Sequence, residues 1–155
     1  MYDAYVEMIA LTERLHRQSL EVVGLELDGI GIRDINNVQA LTLFNIGDAE
    51  MTVSELTLRG CYLGSNVSYI VKKMVQTGYL SYERSLQDRR MSYVRLTEKG
   101  IKLRDRLQNL LERHGELLKE ATISDEDLQA AVGTLGRLER LWIRVPEIPA
   151  LRPRG

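Results

Sequence analysis

The stretch ERSLQDRRMSYVRLTEKG, residues 83–100, decides the fold. Alternating apolar and polar residues from Met91 to Leu96 predict a strand that pairs with a preceding strand over 79–84. Between the two strands lies a charged tip that carries Asp88, Arg89 and Arg90. Thr97 suits the N-cap of a following helix, because its hydroxyl can accept a hydrogen bond from a backbone amide of the first turn. The sequence therefore predicts a two-stranded ribbon with a basic tip that leads into a helix.

Upstream of the ribbon, residues 52–77 have the pattern of a helix, a turn and a second helix. Thr52 and Glu55 form a capping box ahead of a short helix over 53–59. The second helix, from about residue 65 to 77, has an apolar face made of Val67, Ile70, Val71 and Met74. Its outward positions are small, polar, aromatic or basic: Ser65, Asn66, Ser68, Tyr69, Lys72 and Lys73. This pattern is typical of a helix-turn-helix unit whose second helix enters the major groove of DNA.

The outward side chains and the ribbon tip suit different parts of a DNA duplex. Asparagine prefers adenine, a tyrosine ring can pack on a thymine methyl group, and lysines suit phosphates. The guanidinium of Arg90 fits a narrow minor groove, and Asp88 can hold it by a bidentate ion pair. The alternative is an ordinary solvated helix face next to a surface salt bridge of little energetic value.

Amphipathic helices are predicted on both sides of this unit. Apolar spacing indicates helices over 4–27 and 35–45, the second capped by Asp34 or a neighbour, and further helices over 98–121 and 125–145. Both ends of the chain are rich in large apolar residues, namely Tyr2, Tyr5, Leu138, Leu141, Trp142 and Ile143. This apolar surface exceeds what a small central unit can cover, so we expect a homodimer whose terminal helices interlock. A monomeric helical bundle is the alternative.

Charge and composition limit the class of protein. The 155 residues, 44% of them hydrophobic, are enough for one globular domain over 1–155. Residues 59–106 contain 11 Lys/Arg and 4 Asp/Glu, a net charge of +7, whereas the rest contains 10 and 18, a net charge of −8. This asymmetry indicates one face suited to phosphate. A single cysteine, with no secretory signal and no apolar run of roughly 18 residues, favours a cytoplasmic location and no membrane partner.

The sequence shows no pattern typical of an enzyme or a metalloprotein. It contains no glycine-rich phosphate loop, no nucleophile elbow and no set of histidine and carboxylate at a meaningful spacing. The two histidines, His16 and His114, lie far apart without a ligand-spaced partner. We therefore expect no catalytic residues, no metal and no cofactor.

With these motifs, the chain resembles the MarR family of winged-helix transcriptional regulators. The resemblance rests on Asp88-Arg-Arg90-Met-Ser-Tyr-Val94-Arg-Leu96-Thr97-Glu-Lys-Gly100, which fits the wing signature D-x-R-x-x-x-V-x-L-T-x-x-G. Residues 65–74 and 78–80 fit the recognition helix and its exit, whereas Thr57 follows Leu56 where the family usually has alanine. The resemblance implies an α+β, mainly helical fold. A winged helix-turn-helix unit over 35–96 would be flanked by dimerisation helices over 1–30 and 98–146.

The resemblance also implies a function. It implies a dimeric, sequence-specific DNA-binding transcriptional regulator that binds a pseudo-palindromic operator in double-stranded DNA. By analogy, the side chains that enter the major groove would be Ser65, Asn66, Ser68, Tyr69 and Lys73. Arg90, held by Asp88 and with Arg89 beside it, would enter the minor groove.

Control by a small molecule is a further implication of the resemblance. Effectors in the family commonly bind between the dimerisation helices and the winged-helix unit. A small aromatic or anionic effector would here contact His16, Arg17, Thr42, Cys61 and Tyr62. Alternatively, Thr42 bonds to its own helix backbone and His16 lies in the dimer interface. Two other functions stay open: a winged-helix module that binds proteins, and a redox-switched regulator that uses Cys61.

Overall fold

The computed structural model describes residues 1–47, 50–59, 64–86 and 91–144, without the side chains of residues 58, 59 and 64–66. The elements in these residues are α1 (Tyr2–Gly29), α2 (Asn37–Ile46), β1 (Met51–Thr52), α3 (Val53–Arg59), α4 (Gly64–Gln76), β2 (Leu80–Arg84), β3 (Ser92–Leu96), α5 (Glu98–Glu120) and α6 (Asp125–Arg144). They group into two compact units, Met1–Leu111 and the residues from Glu112 onward. The expected α+β, mainly helical fold is confirmed.

The sheet has three antiparallel strands in the order β1-β3-β2. Five residues of β2 pair with β3, from Leu80 opposite Leu96 to Arg84 opposite Ser92. On the other edge of β3, Met51 of β1 lies opposite Val94. The two-stranded ribbon was therefore an incomplete prediction. The two residues of β1 are too few to show the alternation that reveals a strand in a sequence.

One face of α4 is buried, as its spacing predicted. Val67, Val71 and Met74 are 1%, 4% and 0% exposed, because they pack into the core of the first unit. Leu56 of α3 is 0% exposed, and the Thr57 hydroxyl donates to the carbonyl oxygen of Val53 at 2.9 Å. The threonine that replaces the family's usual alanine thus leaves α3 packed. With the inner face of α4 in the core, its opposite face is held towards solvent.

Two capping boxes begin helices in the first unit. The Thr52 amide donates to Glu55 Oε2 at 2.8 Å, and the Glu55 amide donates to Thr52 Oγ1 at 3.1 Å, which confirms the predicted box. Asn36 and Gln39 form the second box at the start of α2. The prediction that α2 begins at residue 35 was early by two residues. Asp34 does not provide the cap, since its carboxylate binds residues distant in sequence.

The second unit contains the end of α5 and all of α6. Ser124 and Asp127 form a capping box ahead of α6, with the Ser124 amide 3.0 Å from Asp127 Oδ2. None of the residues of α6 is buried. Its exposed apolar side chains are Leu128, Val132, Leu135, Leu141, Trp142 and Ile143. Among the described residues, no helix is both long enough and apolar enough to cross a membrane.

Candidate nucleic-acid interface

The outward face of α4 presents the polar and basic side chains that the sequence predicted. Ser68, Tyr69, Lys72 and Lys73 are all exposed, with Tyr69 at 69%. Ser65 and Asn66 belong to the first turn of α4, but their side chains lie outside the described residues. A tyrosine ring this exposed on a helix with a buried opposite face is available for contact with a ligand or a macromolecule.

A cleft of about 730 Å³ lies between α4 and the strands of the ribbon. It is lined by Thr52, Val53, Ser54, Ser68, Val71, Lys72, Val75, Gln76, Tyr82, Met91 and Ser92. The fold thus brings Ser68 and Lys72 of the predicted site together with polar side chains of α3 and of both ribbon strands. Sequence reasoning missed Ser54, Gln76, Tyr82 and Ser92. A signal existed only for Gln76, which lies one turn beyond Lys72 on the same helix face.

Tyr82 and Ser92 form the polar rim of this cleft on the ribbon. The Tyr82 hydroxyl donates to Ser92 Oγ at 2.6 Å across the two strands. Ser92 and, to a lesser extent, Arg84 lower the pKa of Tyr82, because both can donate a hydrogen bond to its phenolate form. Because Tyr82 donates its hydroxyl hydrogen to Ser92, the Ser92 hydroxyl is the group of this pair that can donate to phosphate or a base edge.

The predicted minor-groove residues lie between β2 and β3 in the sequence. The pairing of β2 and β3 continues one step beyond the strands, with the Ser85 amide 3.0 Å from the carbonyl oxygen of Met91. Asp88, Arg89 and Arg90 lie outside the described residues, so their predicted roles stay predictions.

The net positive charge of the middle third is not spread evenly over its surface. Four of its basic side chains belong to α5, and each one forms an ion pair: Lys99 with Asp34, Lys102 with Glu98, Arg104 with Asp105, and Arg106 with Glu26. Arg95 of β3 lies between Glu50 and Glu83, at 3.3 and 3.4 Å. These cations of α5 and β3 therefore lie beside carboxylates, which reduces their attraction for phosphate.

The C-terminal end of α4 is closed by a Schellman motif. Gly78 has a φ of +79°, its amide donates to Val75 O at 3.1 Å, and the Tyr79 amide donates to Met74 O at 2.9 Å. The Thr97 hydroxyl donates to Gly78 O at 2.6 Å and accepts from the Gly100 amide at 3.1 Å. Thr97 is thus the predicted N-cap of α5, and it also joins α5 to the end of α4.

A second set of contacts at this end involves Asp34, Tyr79 and Lys99. Tyr79 is only 1% exposed, and its hydroxyl donates to Asp34 Oδ1 at 2.8 Å. Lys99 Nζ donates to Asp34 Oδ2 at 2.5 Å and to Thr77 O at 2.8 Å, and it lies 4.1 Å from the centre of the Tyr79 ring. We call these three residues the junction cluster.

Ionisation in the junction cluster follows from these contacts. The hydrogen bond from Lys99 holds the pKa of Asp34 below its usual value of 3.8, against a smaller opposing effect of burial. Burial, with the adjacent Asp34 carboxylate second, raises the pKa of Tyr79. At neutral pH Asp34 is therefore a carboxylate and Tyr79 a neutral phenol.

Asp34 is expected to make the stability of the protein acid-sensitive. Because its pKa is lower in the folded than in the unfolded chain, its stabilising contribution is present above about pH 4. That contribution is lost as the pH falls through the lowered folded value. Urea unfolding of the wild type and Asp34→Asn, from about pH 7 to about pH 2, should show a difference in unfolding free energy that shrinks on acidification. A pH-independent difference would contradict this assignment.

The predicted effector residues are not brought together by the contacts of the described chain. His16 and Arg17 are exposed on α1, where Arg17 lies 3.7 Å from Glu13. Thr42 is 1% exposed and donates its hydroxyl to Val38 O at 2.8 Å, which is the alternative role that the sequence left open. Cys61 and Tyr62 lie outside the described residues. None of the three described residues lines the cleft beside α4.

A second cleft, of about 960 Å³, lies on the first unit. Its wall comprises the segment between α1 and α2, the exit of α4 and the first turns of α5, and it includes Asp34, Tyr79 and Lys99. Within the described part of the chain, no three histidine, cysteine or acidic side chains are placed to hold a metal ion.

The helix pair α3–α4, the paired strands β2 and β3 that follow it, and β1 on the outer edge of the sheet define a winged helix-turn-helix protein. The sequence model of the MarR family matches residues 33–91, which include α2, β1, α3, α4 and β2. A curated relative, the exopolysaccharide II synthesis transcriptional activator ExpG of Rhizobium meliloti (strain 1021), is 36% identical over 138 residues. These are 89% of this chain and 71% of the relative. The chain belongs to the MarR family of transcriptional regulators.

Solved structures agree with this fold. A MarR transcriptional regulator from Methanosarcina mazei Go1 is 22% identical and superimposes with a TM-score of 0.71, over 90% of this chain and 99% of that one. FabT of Streptococcus pneumoniae, solved in complex with DNA, is 23% identical with a TM-score of 0.63, over 89% of this chain and 96% of that one.

Proposed function

We propose that this chain is a dimeric, sequence-specific DNA-binding transcriptional regulator that responds to a small molecule. In this proposal residues 1–155 work as one domain, in which 35–96 bind DNA while 1–30 and 98–146 dimerise. The observation that carries the proposal is the exposed polar and basic face of α4, beside the ribbon, on a helix whose opposite face is buried. The complex of the similar FabT with DNA supports this function.

The two grooves of DNA would be contacted by different elements. Major-groove contacts come from α4, through Ser65, Asn66, Ser68, Tyr69 and Lys73, and Lys72 on the same helix contacts phosphate. Minor-groove contacts come from the ribbon tip, where Asp88 orients Arg90 and Arg89 adds charge. Phosphate contacts fix the position of the protein, whereas contacts to base edges provide the selectivity. The ion pairs of the α5 cations support this division, because each of these cations lies beside a carboxylate that reduces its attraction for phosphate.

Dimerisation is supported by the exposed apolar side chains of the terminal helices. Only Val23 and Leu27 are buried among the 28 residues of α1, and no residue of α6 is buried. Exposed apolar side chains on α1 include Tyr2, Val6, Leu11, Leu15 and Leu25. Pairing with a second copy of the chain would remove such side chains from water, and a two-fold dimer would match a pseudo-palindromic operator.

The proposal includes control by a small-molecule effector. A small aromatic or anionic effector would contact His16, Arg17, Thr42, Cys61 and Tyr62. It would act by favouring a dimer whose half-site separation no longer fits one turn of DNA, about 34 Å. A compound that binds tightly but leaves operator affinity unchanged would exclude this mechanism.

The proposed function is tested by selecting duplexes from a random-sequence pool and titrating the selected duplex by fluorescence anisotropy at two salt concentrations. Tight, selective and strongly salt-dependent binding is expected, because several cations per subunit displace counterions. Weak, unselective binding would instead favour the protein-interaction module. The redox switch would be favoured if mild oxidation abolished DNA binding and added thiol restored it. In that case Cys61→Ser should bind DNA equally well before and after oxidation. In vitro transcription from the selected site then tests activation as well as repression, since the Rhizobium meliloti relative is named an activator.

Lys72→Ala is expected to weaken binding to every DNA sequence by a similar factor. A lysine bound to phosphate carries charge but no sequence information, so removing one such lysine should lower the slope of log affinity against log salt by about 1. The matched control is Lys102→Ala, which removes the same charge from an exposed side chain on α5 that pairs with Glu98. Equal salt slopes for the wild type and Lys72→Ala would place Lys72 outside the interface.

A further inference from the structure

The C-terminal end of α4 forms hydrogen bonds with neighbouring residues and with residues distant in sequence. The first set fixes the path of the chain, and the second set fixes the position of the helix. The Schellman bonds join Met74 to Tyr79 and Val75 to Gly78, so they fix only how the chain leaves the helix. They do not fix where the helix lies relative to the rest of the unit. The position of α4 depends on contacts with residues distant in sequence, and the junction cluster supplies several of these contacts.

The junction cluster joins three separate segments of the first unit. Tyr79 and Asp34 are 45 residues apart, Lys99 and Thr77 are 22 apart, and Lys99 and Asp34 are 65 apart. Lys99 therefore reaches from the first turn of α5 to the exit of α4 and to the segment between α1 and α2. Because one ammonium group bonds two of these segments, a shift of α5 changes both sets of contacts together.

We propose that Asp34, Tyr79 and Lys99 position α4 relative to α5 so that its outward face meets operator DNA in the correct orientation. This inference rests on the proposed function. The cluster does not belong to the DNA-facing surface itself, since none of its residues lines the cleft beside α4. It acts on selectivity, because base contacts need correct placement of α4 whereas phosphate attraction tolerates small displacements.

The first turns of α5 can hold α4 in position because α5 itself is anchored in the core. The same face of α5 places Leu103, Leu107 and Leu110 in the core, all less than 6% exposed. The first turns of α5 are thus fixed to the body of the unit. Lys99 and Thr97 extend that fixed frame to the end of α4, through Thr77 O and Gly78 O.

Tyr79→Phe is the sharpest test, because it removes one hydroxyl group and changes no charge. We expect affinity for the selected duplex to fall by about 3- to 10-fold, within the range that residues away from a ligand exert on coupling. Affinity for a random-sequence duplex and the salt slope should stay as in the wild type.

Two substitutions of Lys99 separate positioning from packing. Lys99→Met keeps much of the aliphatic chain over the Tyr79 ring but removes the donor, so it should lower selectivity as Tyr79→Phe does. Lys99→Arg retains the charge and the donors, so it should restore most of the selectivity. If Tyr79→Phe does not unfold cooperatively, Asp34→Asn takes its place, because that side chain is 47% exposed.

The outcomes distinguish this proposal from the proposed function. Unchanged operator affinity in Tyr79→Phe and Lys99→Met, with normal wild-type binding, would overturn the positioning role alone. An equal loss for selected and random duplexes would also overturn it, since that is the result of general destabilisation. Failure of the wild type to select any duplex would instead remove the DNA-binding function, and the positioning role with it.

Discussion

Replacing Gly100 with alanine is expected to lower the free energy of unfolding by about 1–3 kcal/mol, the usual cost of forcing an extra methyl group into a packed site. A Cβ atom at this position would lie 2.3 Å from the carbonyl oxygen of Tyr79 and 3.3 Å from its carbonyl carbon. The clash is with backbone, so no side-chain rotation can relieve it. The same carbonyl oxygen accepts a bond from the Thr97 amide at 3.1 Å, which a shift of β2 or α5 would strain.

The control for this prediction lies in the same helix. A Cβ atom at Gly115 would meet no described atom within 4 Å. Gly115→Ala should therefore stabilise the protein by about 0.5–1 kcal/mol, because alanine loses less backbone entropy in a helix than glycine does. Urea unfolding of both variants and the wild type at one protein concentration measures the two effects. Equal stabilisation by both substitutions would mean that α5 and Tyr79 are not in close contact.

Arg90→Ala is expected to cost about 1–3 kcal/mol of operator binding per half-site, the range for removing one specific arginine from a DNA interface. The reason is the planar guanidinium, which fits a narrow minor groove and which Asp88 can hold in place. Arg90→Lys keeps the charge without the fork. It should lose selectivity but keep nearly the same salt slope. Anisotropy titration of all three proteins with the selected duplex measures these effects.

The control for Arg90 is an arginine that the structure places elsewhere. Arg33 is 74% exposed and forms an ion pair with Asp28 beside the second cleft. Exposed pairs of this kind contribute little to stability, so Arg33→Ala should fold and bind operator as the wild type does. Operator binding that survives Arg90→Ala intact would remove the wing from the mechanism and leave recognition to α4 alone.

The exposed face of α4 was predictable because the spacing of its apolar residues fixes which side of the helix is buried. Val67, Val71 and Met74 recur at helical spacing, so the side chains between them, including Tyr69, had to face solvent. The role of charge was less predictable. Counting charges placed a net +7 over residues 59–106, but the pairs that neutralise α5 include Glu26 and Asp34, which lie outside that segment.

The sequence by itself determined the structures whose partners lie within one helical turn. The capping box at Thr52 and the cap at Thr97 were predictable because each bond spans three residues. The family signature in the wing was also local. These features need only the neighbouring chain, so the types and spacing of residues are sufficient to predict them.

Only the tertiary structure decided the contacts between segments far apart in the chain. The pairing of β1 with β3, the burial of Thr42, and the three partners of Lys99 depend on how the whole core closes. Asp34 shows the difference most clearly, because as a residue near a helix start it suggested a cap, yet its carboxylate binds Tyr79 and Lys99. A side chain has many possible partners, and packing across the entire unit selects the one that it contacts. The neighbouring residues in the sequence do not encode that choice.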